Sequence, residues 1–449
     1  MEKNKRKPSA RAAAAFVVSK VLEGGAYTNI AVNRFLSNTP LEDRERRLFT
    51  ELVYNTVKAS GVIDWLLSLC SSRPLAKIDK EILCILRISI CQFLFLERIP
   101  EAAACNEAVI LARKVKGIGS AQFVNGVLRS LLRKLAAGEI SFPEREKDLA
   151  SYFAWKYYHP RWLVKRWLGS WGETGTEKLL AFNNAAAPVC LRVNTLQTKR
   201  EELIADLTAV GSVVRASKWS PDGVIADKLP SLNKLFLHLD RDFYIQDESS
   251  MLVAPLLNVS YGMNVLDLCS APGGKATHIA QLMGNSGSIT ACDIFSHKLA
   301  LIEANAHRLG INNIKTVLND ATILRNEWID LFDRVLVDAP CSGMGVLRRR
   351  AEARWRKKKQ DLKVFPPLQL AILSNAAQYV KNGGRLVYST CTIEQSENHY
   401  VVEEFLRRYP AWQRVSFRHP LKEEIISELQ VLPQEDGIDG FYICTLERK

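Results

Sequence analysis

The sequence predicts a multidomain protein with an all-α N-terminal domain, a small α+β middle module and a C-terminal α/β domain. Three observations carry that reading. The chain has 449 residues, and at roughly 150 residues per domain this is long for a single core. Apolar residues recur at helical spacing through the first third, and from Met263 onward short apolar runs alternate with helical ones.

The first domain is assigned to residues 1–140. Ala14, Val17, Val18, Val21 and Leu22 fall on one helix face, and further helical runs follow at Asp43–Lys58, Ile82–Leu96, Ala102–Lys114 and Phe123–Leu135. The breakers Pro74, Pro100 and Gly117 separate them. The stretch Ile82–Leu96 is the longest apolar one, but it is too short to cross a bilayer and is interrupted by Arg87 and Gln92, so it reads as a buried helix.

Gly138–Lys147 holds Gly138, Pro143 and alternating charges, the composition of a linker, and a second region is assigned to residues 141–260. It opens with Tyr152, Trp155, Tyr157, Tyr158, Trp162 and Trp167, read as core and linker packing, with base stacking among Arg161, Lys165 and Arg166 as the alternative. A strand at Val189–Val193, a helix at Lys199–Val210 and a strand at Val213–Ala216 then suit a compact α+β module.

The third domain is assigned to residues 261–449. Strands are expected at Asn264–Leu268, Ser288–Cys292, Lys315–Leu318, Arg334–Val337 and Arg385–Tyr388, with helices at Lys275–Met283, Lys298–Leu309 and Leu368–Val380. Gly284, Gly310 and Gly383 stand where helix C-caps belong. The alternation predicts a parallel sheet.

Composition narrows the partners. Hydrophobic residues make up 47% and charged residues 24%, ordinary for a folded soluble protein. Lysine and arginine number 61 against 48 acids, a net charge of +13 that favours a polyanion, nucleic acid first. The ten cysteines form no C-x-x-C pair, so neither a zinc site nor a dithiol redox motif is expected. Met1–Pro8 is polar and basic and lacks the apolar core of a secretory signal; a cytoplasmic, membrane-free location follows as the expectation.

Three motifs carry chemistry. The first is Val265-Leu266-Asp267-Leu268 running into Cys269, Ser270, Ala271, Pro272, Gly273, Gly274 and Lys275: an apolar strand, a small-residue loop and a helix start. In open α/β sheets ligands bind beyond the carboxyl ends of the strands, where glycines admit them to backbone amides. The loop departs from G-x-G-x-x-G, so a nucleoside carrying an amino-acid tail, S-adenosylmethionine, is favoured over a dinucleotide. Asp293 is placed to accept from ribose hydroxyls and Asp320 from an adenine amino group. Singly, each acid reads as a solvated strand end; at successive strand ends they read as a site.

The second motif is Asp338-Ala339-Pro340-Cys341-Ser342-Gly343 and the third Ser389-Thr390-Cys391-Thr392, each following an apolar strand. A single cysteine is usually an inert buried residue, but two at neighbouring strand ends face one crevice. Carbon 5 of cytosine is a poor nucleophile, and a thiolate added at carbon 6 turns it into an enamine carbon able to take a methyl group. One thiol attacks while another group manages protons, and Asp338 against the cytosine edge stabilises the charge that develops.

With these motifs the chain resembles the ribosomal small-subunit RNA 5-methylcytosine methyltransferases of the RsmB (Sun, Fmu) type, over nearly its whole length. The resemblance implies a Rossmann-like class I methyltransferase domain at the C-terminus. It implies that Cys391 is the nucleophile, that Cys341 assists proton removal and release, and that the substrate is a cytosine of 16S ribosomal RNA with S-adenosylmethionine as donor and no metal. Arg192-Val193-Asn194, Gln246–Ser250 and Asp439–Tyr442 match framework segments, and the first domain, including Phe123–Arg129, resembles the RNA-binding factor NusB. The run Arg348–Lys359 holds eight basic residues against Glu352. It is read as RNA contact, with Arg348, Arg349, Arg350, Arg354 and Lys357 as the phosphate-binding candidates. Ala351 stands where the family often has proline. A monomer is expected.

Overall fold

The structure is a computed structural model that describes residues 8–39, 41–96, 98–230, 235–236 and 238–449. It divides into two compact units, residues 1–185 with Leu347–Lys358, and residues 186–346 with Lys359–Lys449.

The first unit is built from α1 (Ala10–Leu22), α2 (Thr28–Asn38), α3 (Asp43–Cys70), α4 (Lys80–Phe95), α5 (Glu101–Lys116), α6 (Ile118–Ala136), α7 (Leu149–Lys156) and α8 (Arg161–Asn184). Ser9 and Asp79 cap α1 and α4 through their side-chain oxygens. Helix α4 is buried without a break from Ile82 to Gln92. Its Arg87 is accommodated there by ion pairs of 2.7 Å to Asp64 and 2.8 Å to Glu23. The helical material does not stop at residue 140. The ring of Phe142 packs on Trp65 and Trp155, Tyr158 packs edge-on against Phe95, and Phe153 and Trp167 are fully buried. Trp167 of the aromatic patch is core and Tyr152, Trp155, Tyr157, Tyr158 and Trp162 are half-buried, and α7 and α8 fall with the first unit.

Leu347–Lys358 is threaded into this helical core, and here the expectation for the basic run is corrected. Arg354 is fully buried, and its guanidinium donates to the carbonyls of Tyr158 and Asn183 and to Oδ1 of Asn184 at 2.8–3.1 Å. A phosphate cannot reach it. Arg356 donates to the carbonyls of Val21, Gly25 and Ala26, closing the C-terminal end of α1, where cations are favoured. Glu352 is buried and accepts from Thr28 at 2.6 Å. The Arg348 guanidinium lies over the Phe182 ring at 4.1 Å, and Arg349 is half-buried. Ala351 joins the helical core, so this site needs a small apolar residue, which alanine supplies. Of the five phosphate candidates only Arg350 is exposed, and Lys357 is partly so.

The second unit holds two sheets. The smaller has β1 (Val189–Val193), β2 (Val213–Ala216), β3 (Gly223–Lys228) and β4 (Phe243–Ile245) in the antiparallel order β2-β3-β1-β4, with α9 (Arg200–Ala209) packed on it. The larger runs β10 (Trp412–Arg414), β14 (Phe441–Arg448), β9 (Val380–Thr390), β8 (Phe332–Asp338), β5 (Asn264–Asp267), β6 (Ser288–Asp293) and β7 (Ile314–Leu318), with β13 (Glu428–Val431) also on β14. Strands β5 to β9 are parallel, as the alternation predicted, but β14 pairs antiparallel with β9, so the sheet is mixed. Helices α10 (Gly274–Leu282), α11 (Ser296–Arg308), α12 (Phe365–Tyr379) and α13 (His399–Arg408) cover it.

Between the sheets, His278 on α10 is fully buried and lies 3.2 Å from Asp222. Burial lowers its pKa from 6.5 to about 4. The unfolded chain therefore binds a proton below pH 6.5 that the folded chain refuses, and stability falls as pH drops from 6.5 toward 4. For a shift of this size the loss is about 3 kcal/mol. Urea unfolding across that range is expected to show it, and His278→Gln to flatten the slope; an equal slope in the variant rules out His278 as its source.

Candidate active site

At the carboxyl end of β5 the chain turns through Cys269–Gly273 into α10. Gly273 has φ +97° and a Cβ there would lie 3.2 Å from the backbone of Ile302, so both conformation and space demand glycine. The loop is held by its own amides, Ser270 N–H to the Cys292 carbonyl and Gly273 N–H to the Ser270 carbonyl, each 2.7 Å. Beneath it, the fully buried Arg192 donates to the Gly274 carbonyl, to Thr277, to Gln281 and to Gln246, with Tyr244 against its guanidinium at 5.2 Å. That is the part played by the Arg192-Val193-Asn194 segment: it anchors the first turn of α10.

Asp267, at the head of the loop, is fully buried, and burial pushes its pKa up to about 7. The Ser270 side chain and the Cys269 amide lie beside it and offset part of that rise, but neither carboxyl oxygen nor the Ser270 hydroxyl makes a well-formed hydrogen bond among the described residues. A buried carboxyl so weakly satisfied has capacity left for a cationic or donor ligand. At the next strand end Asp293 accepts the Phe295 amide on Oδ1 at 3.0 Å, with Lys298 3.5 Å from the same oxygen. Asp320 accepts from the amide and hydroxyl of Thr322, which hold its pKa below the usual range. Beside these acids Ile294, Leu318, Asn319, Asp320, Ile323 and Arg325 line a slot of about 330 Å³. Ile294, Leu318 and Ile323 leave more than half their surface open, so the slot presents open apolar surface beside the acids.

The two thiols meet. Parallel pairing sets Asp338 of β8 opposite Ser389 of β9, and the loops beyond bring Cys341 Sγ to 3.3 Å from Cys391 Sγ. Each loop is fixed from below. Ser342 donates its amide to the buried Glu397 and its hydroxyl meets Thr392 at 2.8 Å; Asn398 binds the Thr390 hydroxyl and the Thr392 carbonyl; Gly345 N–H donates to the Cys391 carbonyl. Gly345 and Gly440 touch so closely that a Cβ on Gly345 would stand 2.2 Å from the Gly440 carbonyl. A Cβ on Gly440 would in turn stand 2.8 Å from the Gly345 Cα, which explains the glycine of the Asp439–Tyr442 segment.

Lys275 Nζ lies 2.6 Å from Asp338 Oδ2, and Ser389 donates to Oδ1 at 2.8 Å. The Asp338 carboxylate is thus bound on both oxygens. Attraction to Asp338 and to Cys391 keeps Lys275 charged against the penalty of burial. Cys341 behaves differently from an ordinary thiol: its hydrogen bond with Cys391, then burial, then the neighbouring negative charges push its pKa well up. Cys269, half-buried, is also pushed well up, by desolvation first and then by Asp267, Asp338 and Asp293, and stays a thiol.

The structure brings Cys269–Lys275, Asp293, Asp320, Asp338, Cys341 and Cys391 to the carboxyl end of one sheet, while Arg354 of the basic run lies in the helical core and Arg350 at the surface. Sequence reasoning placed Lys275 only in the cofactor loop and passed over Glu397 and Asn398. Their closeness to Cys391 in sequence was the available signal.

The order β14-β9-β8-β5-β6-β7, with β14 reversed, and an acid-lined crevice at the parallel strand ends define the class: a methyltransferase of the Rossmann-like kind. Residues 254–447 match the 16S rRNA methyltransferase RsmB/F family, residues 8–133 the NusB family, and residues 159–231 the ferredoxin-like domain of RsmF/B-like methyltransferases. The chain is 38% identical, over 99% of its length and 100% of the relative's, to the "Probable ribosomal RNA small subunit methyltransferase B" of Bacillus subtilis. It is 33% identical to the protein of the same name from Synechocystis, over 98% of this chain and 99% of that one. The crystal structure of PH0851 superposes with a TM-score of 0.87 at 25% identity, covering 98% of this chain and 99% of that one. The chain belongs to the ribosomal RNA small subunit methyltransferase B family.

Proposed function

We propose that this protein transfers a methyl group from S-adenosylmethionine to carbon 5 of a cytosine in small-subunit ribosomal RNA, through a transient bond between Cys391 and carbon 6 of the base. The observation that carries the reading is the 3.3 Å thiol pair beside the Lys275–Asp338 ion pair. The relatives' names support the RNA substrate.

The residues present fit the donor. Asp267 and Ser270 offer buried, weakly satisfied oxygens to its ammonium group, Asp293 a carboxylate to the ribose, and the Ile294, Leu318 and Ile323 slot a floor for adenine, with Asp320 at its edge. When bound, the donor supplies a methyl group on a sulfonium.

The chain's own groups divide the remaining work. Lys275, held charged in the buried site, favours the thiolate of Cys391. Addition puts Sγ on carbon 6 and the thiol's proton on N3, and Asp338 accepts from the amino edge of the base. After carbon 5 receives its methyl, the carbon 5 proton leaves through Cys341, the bond from carbon 6 to sulfur breaks, and the N3 proton returns to Cys391. The leading cause of the raised Cys341 pKa is its hydrogen bond with Cys391. Before addition Cys341 therefore keeps its proton and donates to the forming thiolate. Once Cys391 is bonded to carbon that burden is gone, so the Cys341 pKa falls, its own proton passes to solvent, and the thiolate left behind takes the carbon 5 proton.

The test is to incubate the protein with methyl-labelled S-adenosylmethionine and 16S rRNA, then digest and map the label. Label in 5-methylcytosine at a defined position is expected; label on an exocyclic amine or a ribose, or none, refutes the reading.

A further inference from the structure

Away from the thiol site, in the helical unit, Arg44, Arg47, Leu48 and Glu51 of α3 and Phe95, Leu96, Arg98 and Ile99 at the end of α4 enclose a cleft of about 480 Å³. Its floor is apolar and its rim is arginine. Four other arginines of the unit are matched to acids, Arg46 to Asp43, Arg87 to Asp64 and Glu23, Arg145 to Glu173 and Arg161 to Asp148, whereas further ones unpaired among the described residues, such as Arg113 and Arg133, lie outside the cleft. Arg44, Arg47 and Arg98 are exposed, and among the described residues none of them has an ion pair or a hydrogen-bond acceptor. Three unneutralised guanidinium groups around one apolar recess repel one another, and an anion placed among them relieves that repulsion.

The chemistry of the lining narrows the anion. The cations are all arginine, with no lysine, and guanidinium is the group that grips phosphate with two parallel hydrogen bonds and stacks on flat rings. Inorganic phosphate leaves the Leu48, Leu96 and Ile99 floor and the Phe95 ring without a role. Phe95 is fixed by its edge contact with Tyr158, centroids 4.9 Å apart. A base seated on that floor, its flanking phosphates on the arginines and its N–H edge facing the Glu51 carboxylate, uses every group. A base can enter a recess only when it is out of the helical stack, so the ligand is single-stranded.

We propose that this cleft binds one unstacked nucleotide of the RNA substrate, at a point on the RNA other than the cytosine that is methylated. The proposal rests on the reading above that the chain acts on RNA. Its consequence is that the helical unit holds the RNA through a phosphate-and-base grip of its own, separable from the chemistry.

The test compares three full-length proteins: wild type, Arg44→Gln/Arg47→Gln/Arg98→Gln, and a control, Lys77→Gln/Lys80→Gln/Arg113→Gln, which removes equal charge from exposed positions of the same unit outside the cleft. Each is titrated with 16S rRNA at several salt concentrations and assayed for methyl transfer. The cleft variant is expected to raise KM for RNA at least tenfold with kcat unchanged, and to lower the slope of log affinity against log salt by roughly 2, about 0.7 per lost phosphate contact. The control is expected to change KM less than threefold. Phe95→Leu, which keeps the floor apolar but removes the ring, is expected to raise KM without altering the salt slope. If wild type methylates the RNA and the cleft variant matches it in KM and slope, the site is refuted and the function stands. If wild type neither binds nor methylates RNA, the function reading falls and takes this one with it. Unchanged RNA binding with loss of affinity for polyglutamate overturns the proposal in favour of an acidic protein partner.

Discussion

Cys391→Ala protein is expected to transfer no label from S-adenosylmethionine to 16S rRNA and to retain no RNA on a denaturing gel, whereas Cys341→Ala is expected to accumulate a covalent RNA complex. Both side chains sit within one 3.3 Å contact, so a purely structural role would make the two variants behave alike. The separate roles that the family resemblance assigns to the two thiols predict that they do not. Removing the nucleophile takes away the covalent path itself, a loss on the order of 10⁴ or more in turnover. Removing Cys341 leaves attack and methyl transfer intact and takes away the exit route for the carbon 5 proton, a loss of roughly 10²–10⁴. An adduct that persists without Cys391 reverses the two roles. Full methylation by both variants ends the mechanism.

Arg354→Ala is expected to destabilise the first unit strongly although it changes nothing at the thiol site. The substitution strips three acceptors of their charged donor in a place water does not reach, and leaves Glu352 buried without its neighbouring cation. Hydrogen bonds to a charged group are worth roughly 1.5–3 kcal/mol each, so a net loss on the order of 3 kcal/mol is a low expectation, seen as a fall of about 6–12 °C in Tm. Arg350→Ala, four residues earlier and exposed, is expected to cost no more than about 1 kcal/mol. Thermal unfolding followed by circular dichroism separates the two. Equal small effects would return the basic run to the surface, where the sequence suggested it belonged. The same packing makes a second, independent demand. A Cβ at Gly61, in the middle of α3, would meet the Trp355 ring at 2.1 Å, so this helix carries a glycine to admit the tryptophan.

The contrast between the cysteines and the basic run shows what a sequence makes legible. The thiols were found because their signal is local: each follows an apolar strand by two or three residues, and parallel strands carry whatever follows them to the same edge. The same rule located Asp293, Asp320 and the glycine loop. The sheet's reversed strand β14 was missed because a strand that pairs antiparallel with its neighbour needs no crossover helix to announce its direction. Lys275 was seen as part of a loop and not as the charge beside the thiol, since its partner Asp338 lies 63 residues away.

What the sequence by itself determined is the order of the domains, the sheet edge at which the site lies and the two thiols that occupy it. Periodicity and strand-end position are properties of neighbouring residues, and the resemblance assigned Cys391 and Cys341 their roles. What only the tertiary structure decided is where long-range partners meet. It decided that Lys275 faces Asp338, that Asp267 is a buried acid, and that the basic run from Arg348 is divided between core and surface. Charge along a chain is the same number whether it faces solvent or a set of buried carbonyls. Arg354 lies in a helical core because Tyr158, Asn183 and Asn184, all more than 160 residues earlier, present acceptors that no local pattern connects to it.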